Sequence, residues 1–182
     1  SNPKIIDYAT NGTRTEFLDL FLGYKCEFCI TSGAGYDGIP FIFRKPLLLA
    51  SYTPYSTSNF FSKRNITFYK HHYSKFLKRN LTLKEIFEMG LSTIDNKNEF
   101  EIKGIKLVEI SEQEIAEIVL EMEKFVKEKE FENELKKCEL NEKFFKVFNY
   151  YIQSKEDLSI RHGEIKGRVS PSFLKRNQYL IQ

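Results

Sequence analysis

The chain lacks tryptophan altogether and has only three cysteines among its 182 residues. A small, odd number of cysteines does not form the disulfide framework of a secreted mini-protein, so the sequence indicates a reducing compartment. The chain also lacks an apolar run of about 18 residues, the length that a membrane-spanning helix needs. Its first residues, Ser1-Asn2-Pro3, do not resemble a signal peptide. We therefore expect a cytoplasmic protein, either free or associated peripherally with the inner face of the membrane.

A marked excess of one charge sign is also missing. The chain has 28 Lys and Arg residues against 25 Asp and Glu residues, a net charge of +3. This excess is too small to predict a nucleic-acid-binding protein, so we expect no nucleic-acid partner. Hydrophobic residues make up 41% of the chain, which is enough to form a core and excludes a disordered protein. At this length a core forms without a metal or disulfide to hold it.

The first predicted helix lies near the amino terminus. Its apolar residues recur with helical spacing over 17–22. Thr13 and Glu16 have the spacing of a capping box, and Gly23 is expected to end the helix.

Short apolar runs at 28–30 and 47–50 predict two strands, with a loop at 31–35 and a short helix over 37–43 between them. This alternation of strands and helices favours a parallel sheet. We therefore predict an α/β fold: a Rossmann-like parallel sheet with helices on both faces. In this prediction the sheet domain covers residues 1–130, and residues 131–182 form a helical carboxyl-terminal extension that packs back on it.

The remaining elements follow from capping and periodicity. Capping-box spacings at 82–85 and 111–114 predict the starts of two helices. Alternating apolar residues over 99–110 predict a strand, with a turn or bulge at Gly104. A further helix is expected over 144–152.

Residues 58–84 form a basic segment with seven Lys or Arg residues, no acidic residue and several interleaved aromatics. One interpretation is a solvated face whose aromatic residues are anchored in the core. The alternative is a surface that binds phosphates, an acidic membrane or RNA. His71 and His72 lie in this segment and should point to opposite faces of a strand, so we expect a surface or loop role for them.

The stretch that follows the first predicted strand has the composition of an anion site. Small residues let a backbone approach a phosphate closely, and the N–H groups at the start of the next helix would point at it. Arg14 is expected to face the same crevice, at the carboxyl ends of the strands. The alternative is a tight turn that needs glycine only for its backbone angles. The candidate anion-binding residues are Arg14, Thr31, Ser32, Gly33, Ala34 and Gly35.

Three glycines, Gly33, Gly35 and Gly38, also match the dinucleotide-binding fingerprint. That fingerprint requires an acidic residue at the end of the next strand to hold the ribose, and residues 51–58 contain none. Pro40 would fall early in the phosphate-binding helix. A nucleotide-dependent oxidoreductase is therefore a weak alternative.

Metal and redox chemistry have little support in the sequence. Cys26 and Cys29 have the spacing of a metal-binding pair, but zinc needs four ligands and Cys138 does not supply a second pair. We expect buried structural thiols. His162 has no evident partner, and the chain contains no Asp-x-Asp motif. We therefore expect no metal and no cofactor.

Several blocks of sequence occur in a characteristic order along nearly the whole chain. The chief blocks are residues 14–22, 26–33, 45–49, 81–87, 114–122 and 168–174. In this order they resemble the carboxyl-terminal half of bacterial glycosyltransferases of the GT-B type, in a group linked to surface-carbohydrate synthesis.

The resemblance implies a Rossmann-like domain that binds a nucleotide-sugar donor as its substrate. The donor diphosphate would lie against Ser32, Gly33, Ala34 and Gly35, with Tyr36 and Asp37 available to the ribose or base. The acceptor side and the catalytic base would come from an amino-terminal domain that this chain does not contain. We assign no catalytic residue. A non-catalytic binding or assembly module stays open as an alternative.

Overall fold

The computed structural model describes residues 2–58, 60–128, 138–155, 157 and 164–182. These residues form α1 (Glu16–Lys25), β1 (Cys29–Thr31), α2 (Gly38–Ile42), β2 (Leu47–Tyr52), β3 (Asn65–Tyr69), β4 (His71–Ser74), β5 (Arg79–Asn80), α3 (Leu83–Glu88), α4 (Lys97–Ile102), β6 (Ile105–Val108), α5 (Glu112–Lys127), α6 (Glu139–Gln153), β7 (Arg168–Val169) and α7 (Pro171–Arg176). Two short 3-10 helices, Tyr55–Thr57 and Gln178–Ile181, complete the assigned elements.

A four-stranded parallel sheet forms the centre of the molecule. Its strand order is β1-β2-β3-β7, and every neighbouring pair is parallel. A second sheet of three antiparallel strands has the order β5-β4-β6. The predicted α/β class with a parallel sheet and a helical carboxyl-terminal part is confirmed.

The two central strands are buried because both of their faces are covered. Leu47, Leu48 and Leu49 are fully buried in β2, and all five residues of β3 are buried. Continuous burial is the pattern expected of parallel strands with helices against them.

The longer helices contribute one apolar face each to the core. Helix α5 has 16 residues and buries Ile118, Met122 and Phe125, while α6 buries Phe144 and Phe148. The capping boxes predicted at Thr82 and Ser111 are both present at the starts of α3 and α5. Among the described residues, no helix combines the length and the apolar character needed to cross a membrane.

The outer edge of β7 is closed by a side chain instead of another strand. Asn141 of α6 donates a hydrogen bond to the Val169 carbonyl (2.8 Å) and accepts one from the Val169 N–H (2.9 Å). The amide group therefore reproduces the two bonds that a neighbouring strand would make. On the other side of β7, the Ser170 N–H donates to the Thr67 carbonyl of β3. Since the strand lies within residues 131–182, this part of the chain contributes to the sheet as well as to the helices.

Two predictions of local structure were wrong in detail. Residues 97–102 form helix α4 and not the start of a strand, because the Asn96 side chain caps a helix there and only Phe100 of that helix is buried. The strand is confined to β6, after the predicted turn at Gly104, which has a φ of +69°.

Helix α1 also differs from its predicted bounds. It is capped by Thr15, not Thr13, and continues past Gly23 to Lys25. Gly23 is buried because α1 and α2 touch there: a Cβ at this position would lie 2.5 Å from Ile39 Cγ2. The glycine therefore permits helix packing and does not end the helix.

The predicted domain boundary between residues 130 and 131 lies outside the described residues, as does His162.

A buried carboxyl group joins α5 to α7. Glu121 is 7% exposed and accepts hydrogen bonds from the backbone N–H and the hydroxyl of Ser172. Burial raises the pKa of Glu121 above its usual value, against the opposing effect of the hydrogen bonds from Ser172. Because the folded chain then binds this proton more tightly than the unfolded chain does, the contribution to stability is complete below the ordinary pKa of 4.5 and is lost as pH rises through the raised value.

We expect Glu121→Gln to reduce this loss of stability at higher pH, because glutamine still accepts the bond from Ser172 but carries no charge. The measurement is the free energy of unfolding in urea at about pH 5 and about pH 8. Glu112→Gln, at an exposed position of the same helix, is the control. Its free energy of unfolding should depend on pH as that of the unmodified protein does. An equal pH dependence in both variants would contradict the prediction.

Candidate functional site

The carboxyl ends of β1, β2 and β3 meet at one edge of the parallel sheet, where open α/β sheets bind their ligands. Ser32 follows β1, Thr53 follows β2 and Lys70 follows β3. This edge therefore contains the predicted anion-binding loop and also residues that sequence analysis did not select.

The glycine loop, residues 31–37, connects β1 to α2. Gly33 and Gly35 adopt φ values of +84° and +92°, in the region that favours glycine. The Thr31 hydroxyl accepts a hydrogen bond from the Gly33 N–H (3.0 Å), and the Asp37 carboxylate accepts one from the Gly35 N–H (2.9 Å). Two amides of the predicted anion site are thus already bonded within the loop. Ser32 and Ala34 are exposed.

Helix α2 does not present free amides at its start. The Gly38 and Ile39 N–H groups donate to the carbonyls of Gly35 and Tyr36, and the third position is Pro40, which has no N–H. The expectation that the N–H groups of this helix point at a ligand is therefore wrong for these residues. An anion at this edge would have to bind through the loop and through side chains.

The loop packs onto the end of β2. A Cβ placed on Gly33 would lie 2.9 Å from Cε2 of the Tyr52 ring. The Tyr52 hydroxyl donates to the Thr57 carbonyl, which fixes the ring under the loop. In contrast, a Cβ on Gly35 would meet nothing within 4 Å, so the outer side of the loop is open.

Arg14 reaches the glycine loop through Asp19. Its guanidinium group lies 3.3 Å from the Asp19 carboxylate, and the hydroxyl of Tyr36 donates to the Asp19 carbonyl (2.9 Å). Arg14 and Tyr36 are thus both tied to one residue of α1. The arginine is exposed and already paired, so its charge is partly neutralised where it lies.

A pocket of about 610 Å³ is lined mainly by α4, β6 and the residues around them, and it reaches the ends of β2 and β3 at Thr53 and Lys70. Thr53, Lys70 and Glu109 lie in its wall, and the Lys70 ammonium group is 2.5 Å from the Glu109 carboxylate. Burial opposes ionisation of Glu109, but hydrogen bonds from Lys70 and Ser51 outweigh it, so the pKa of this carboxyl lies below its usual value. The Glu109 carboxyl is thus ionised at neutral pH, and the described residues in the wall of the pocket include three acidic residues, of which Glu109 is one, and four lysines. Its volume is in the range of about 300–1,000 Å³ found for ligand sites.

The end of β2 links the pocket to the loop, although no residue of the loop lines the pocket. Tyr52 touches Gly33, its neighbour Thr53 lines the pocket, and Ser51 bonds Glu109. Sequence analysis missed Ser51, Lys70 and Glu109 because they are far apart in the chain. A local signal would have been Glu109, the acidic residue near the end of the strand pattern over 99–110.

The cysteines are free thiols. Cys26 ends α1 and donates to the Gly23 carbonyl, and Cys29 begins β1; both are half-buried instead of buried as predicted. Burial is the main cause that raises the pKa of Cys29 to about 11, which leaves it protonated and a poor nucleophile. Within the described ranges, no three His, Cys, Asp or Glu side chains are grouped so that they could hold a metal ion.

The two histidines of β4 point to opposite faces, as predicted. His71 is half-buried and bonded to the Tyr179 hydroxyl (2.7 Å). His72 is buried against Tyr55 and Phe100, so the expected surface or loop role is wrong for it. Burial lowers the pKa of His72 to about 4, which keeps the ring neutral.

The basic segment does not form a single surface. Its aromatic residues Phe60, Phe68 and Tyr69 are buried, as expected for core anchors. Several of its cations are paired with acids from elsewhere: Lys70 with Glu109, Arg79 with Glu85 and Lys84 with Glu88.

Comparison with protein-family models, curated proteins and solved structures finds no match to this chain.

The contact between the glycine loop and Tyr52 can be tested by measuring how a substitution at Gly33 changes the free energy of unfolding. Gly33→Ala forces a side chain into the left-handed region and against the Tyr52 ring. Gly12→Ala is the matched control, because Gly12 has a φ of +81° but nothing within 4 Å of its Cβ position. We expect Gly12→Ala to cost about 1–2 kcal/mol of unfolding free energy and Gly33→Ala to cost about 1–3 kcal/mol more. Equal losses in urea denaturation would mean that the loop does not rest on Tyr52.

Proposed function

We propose that this chain is the donor-binding half of a glycosyltransferase that takes a sugar from a nucleotide-sugar, in the synthesis of a surface polysaccharide or glycoconjugate. The observation that carries the proposal is the polar pocket at the carboxyl edge of the parallel sheet, next to a loop with two glycines in the left-handed region. This edge is the usual ligand position of an open α/β sheet. The order of the sequence blocks supports the same class of protein.

The two halves of this site have complementary chemistry. On the loop side, the open outer face of Gly35 allows a diphosphate to approach the backbone. Arg14 is linked to this loop through Asp19, which contacts both Arg14 and Tyr36. On the pocket side, the Glu109 carboxylate can accept hydrogen bonds from hydroxyls of the transferred sugar. The Lys70 ammonium group beside it supplies a positive charge near the departing diphosphate. We propose Tyr36 and Asp37, at the end of the loop, as contacts for the ribose or base.

The proposed partner domain has a surface to pack against. Strand β1 is the first strand in the order of the sheet, so one of its edges has no neighbouring strand among the described residues. Ile30 of this strand is 49% exposed, and Phe17 and Leu20 of α1, the helix before it in the chain, are 70% and 51% exposed. Nucleotide-binding sheets of this kind carry strands on both sides of the first one, and the ligand lies where the order reverses. We propose that an amino-terminal domain covers this face and supplies the acceptor site and the catalytic base.

The proposal is tested by titrating the purified protein with UDP-, GDP- and CDP-sugars in a calorimeter. We expect saturable binding of one of them, without added metal. A folded protein that binds none of the three contradicts the proposal.

The Gly35→Ala variant tests whether the diphosphate binds at the glycine loop or elsewhere on the protein. Its methyl group would project into the open side of the loop, where the phosphate is proposed to lie. We expect at least about a tenfold loss of affinity, or about 1.4 kcal/mol. Gly12→Ala imposes a similar backbone strain in an exposed turn and should bind as the unmodified protein does. Equal affinities for the two variants would exclude the loop from the site.

An assembly module is a second candidate function, favoured by the same exposed apolar face. It predicts concentration-dependent self-association in light scattering and no affinity for nucleotide-sugars. Replacing Phe17 by serine should then abolish the self-association, because this side chain is the most exposed aromatic of α1.

A further inference from the structure

A second pocket, of about 650 Å³, lies at the opposite edge of the parallel sheet. Three of its cations lie just before parallel strands: Arg64 is next to the start of β3, while Lys45 and Lys166 lie two residues before β2 and β7. Since the strands are parallel, their amino ends lie at one edge of the sheet, and these three cations therefore lie near each other there. This site, which we call the basic aromatic pocket, is therefore separated from the donor site by the length of the strands.

The charges of the basic aromatic pocket are of one sign. Of the residues that the structure describes, its wall contains no acidic residue and five cations: Arg44, Lys45, Lys63, Arg64 and Lys166. The acid nearest to them in the chain, Glu164, lies 2.8 Å from the Lys166 ammonium group and offsets one of the five. The excess of positive charge in this pocket is large for a chain whose net charge is +3.

The geometry of this pocket is fixed by the backbone. Arg44 adopts a φ of +56°, and its carbonyl accepts a hydrogen bond from the Arg64 guanidinium group (3.2 Å). The N–H of Lys45 donates to the Pro40 carbonyl (2.9 Å), which holds the turn after α2. The segments before β2 and β3 are thus tied together, and the cations project from a defined surface.

Apolar side chains lie among these cations and are open to solvent. Ile42, the last residue of α2, is 75% exposed, and Phe41 and Phe61 are 39% and 41% exposed. The two phenylalanine rings pack edge to face, with centroids 4.9 Å apart. In this edge-to-face arrangement the edge of one ring covers a face of the other, which leaves less ring surface for a nucleic-acid base to stack on. An aliphatic tip beside them has no role in base stacking but suits the boundary between lipid headgroups and acyl chains.

We infer that the basic aromatic pocket is a docking surface for an anionic phospholipid membrane. Arg and Lys side chains would contact the headgroup phosphates, while Ile42, Phe41 and Phe61 enter the upper part of the acyl region. Charge complementarity selects this partner, since a neutral membrane would gain nothing from the cations. The donor site on the other edge of the sheet would then face away from the lipid, open to soluble nucleotide-sugars.

The test is sedimentation of the purified protein with vesicles of phosphatidylcholine alone or of phosphatidylcholine mixed with phosphatidylglycerol. We expect binding only to the mixed vesicles, and a decrease as salt is raised. Lys63→Glu with Arg64→Glu should lower the affinity at least about tenfold, because each cation near an anionic surface is worth roughly a fivefold factor. Lys143→Glu with Lys146→Glu makes the same change of net charge on exposed positions of α6 and should bind as before.

The contribution of the apolar side chains to vesicle binding is tested by a second pair of matched variants. Ile42→Ser should weaken vesicle binding several-fold, whereas Ile102→Ser, the last residue of α4 and 85% exposed, should not. Equal binding to both kinds of vesicle, or an equal loss in the paired variants, overturns the proposal. Single-stranded RNA that displaces the protein from vesicles and still binds the Ile42→Ser variant would assign the pocket to nucleic acid and overturn it as well.

Discussion

The parallel sheet depends on the way in which Asn141 holds β7. This strand has only two residues, and β3 pairs with it on one side alone. The Asn141 amide supplies both bonds on the other side, from within helix α6. An unpaired backbone group at this buried position would cost about 1–3 kcal/mol. One side chain thus joins the carboxyl-terminal helices to the sheet, and it allows β3 to be a central, fully buried strand.

Local signals predicted much of the secondary structure, whereas contacts between distant residues decided the rest. The capping boxes at Thr82 and Ser111 were found because all their atoms lie within one helical turn. Helix α4 was missed because the apolar spacing over 99–110 also fits a strand, and only packing shows that Phe100 is buried while Ile102 is exposed. The glycine loop could be found from its composition. The contact of Ser51 and Lys70 with Glu109 could not be found in this way. Antiparallel pairing of β4 with β6 brings Lys70 beside Glu109, and Ser51 comes from β2 in the other sheet.

The basic segment illustrates how a strand redistributes charge. Strand β3 spans roughly 16 Å at about 3.3 Å per residue, and it separates Arg64 from Lys70. The first lies among like charges at the amino edge of the sheet, and the second is paired with Glu109 at the carboxyl edge. A run of cations in sequence therefore becomes two surfaces with different chemistry. In the proposed arrangement, one edge of the sheet would take small polar ligands and the other an extended anionic partner.

The hydrogen bond from Gly35 to Asp37 has a consequence for ligand selection. The Asp37 carboxylate satisfies this amide within the loop. An anion that bound the amide, as the proposed donor diphosphate would, would have to displace the carboxylate, so a ligand with a single negative charge would gain little from the exchange. A group that brings two charges and further contacts would gain much more. In the proposed function, the loop would therefore select ligands by valence, through competition with its own side chain.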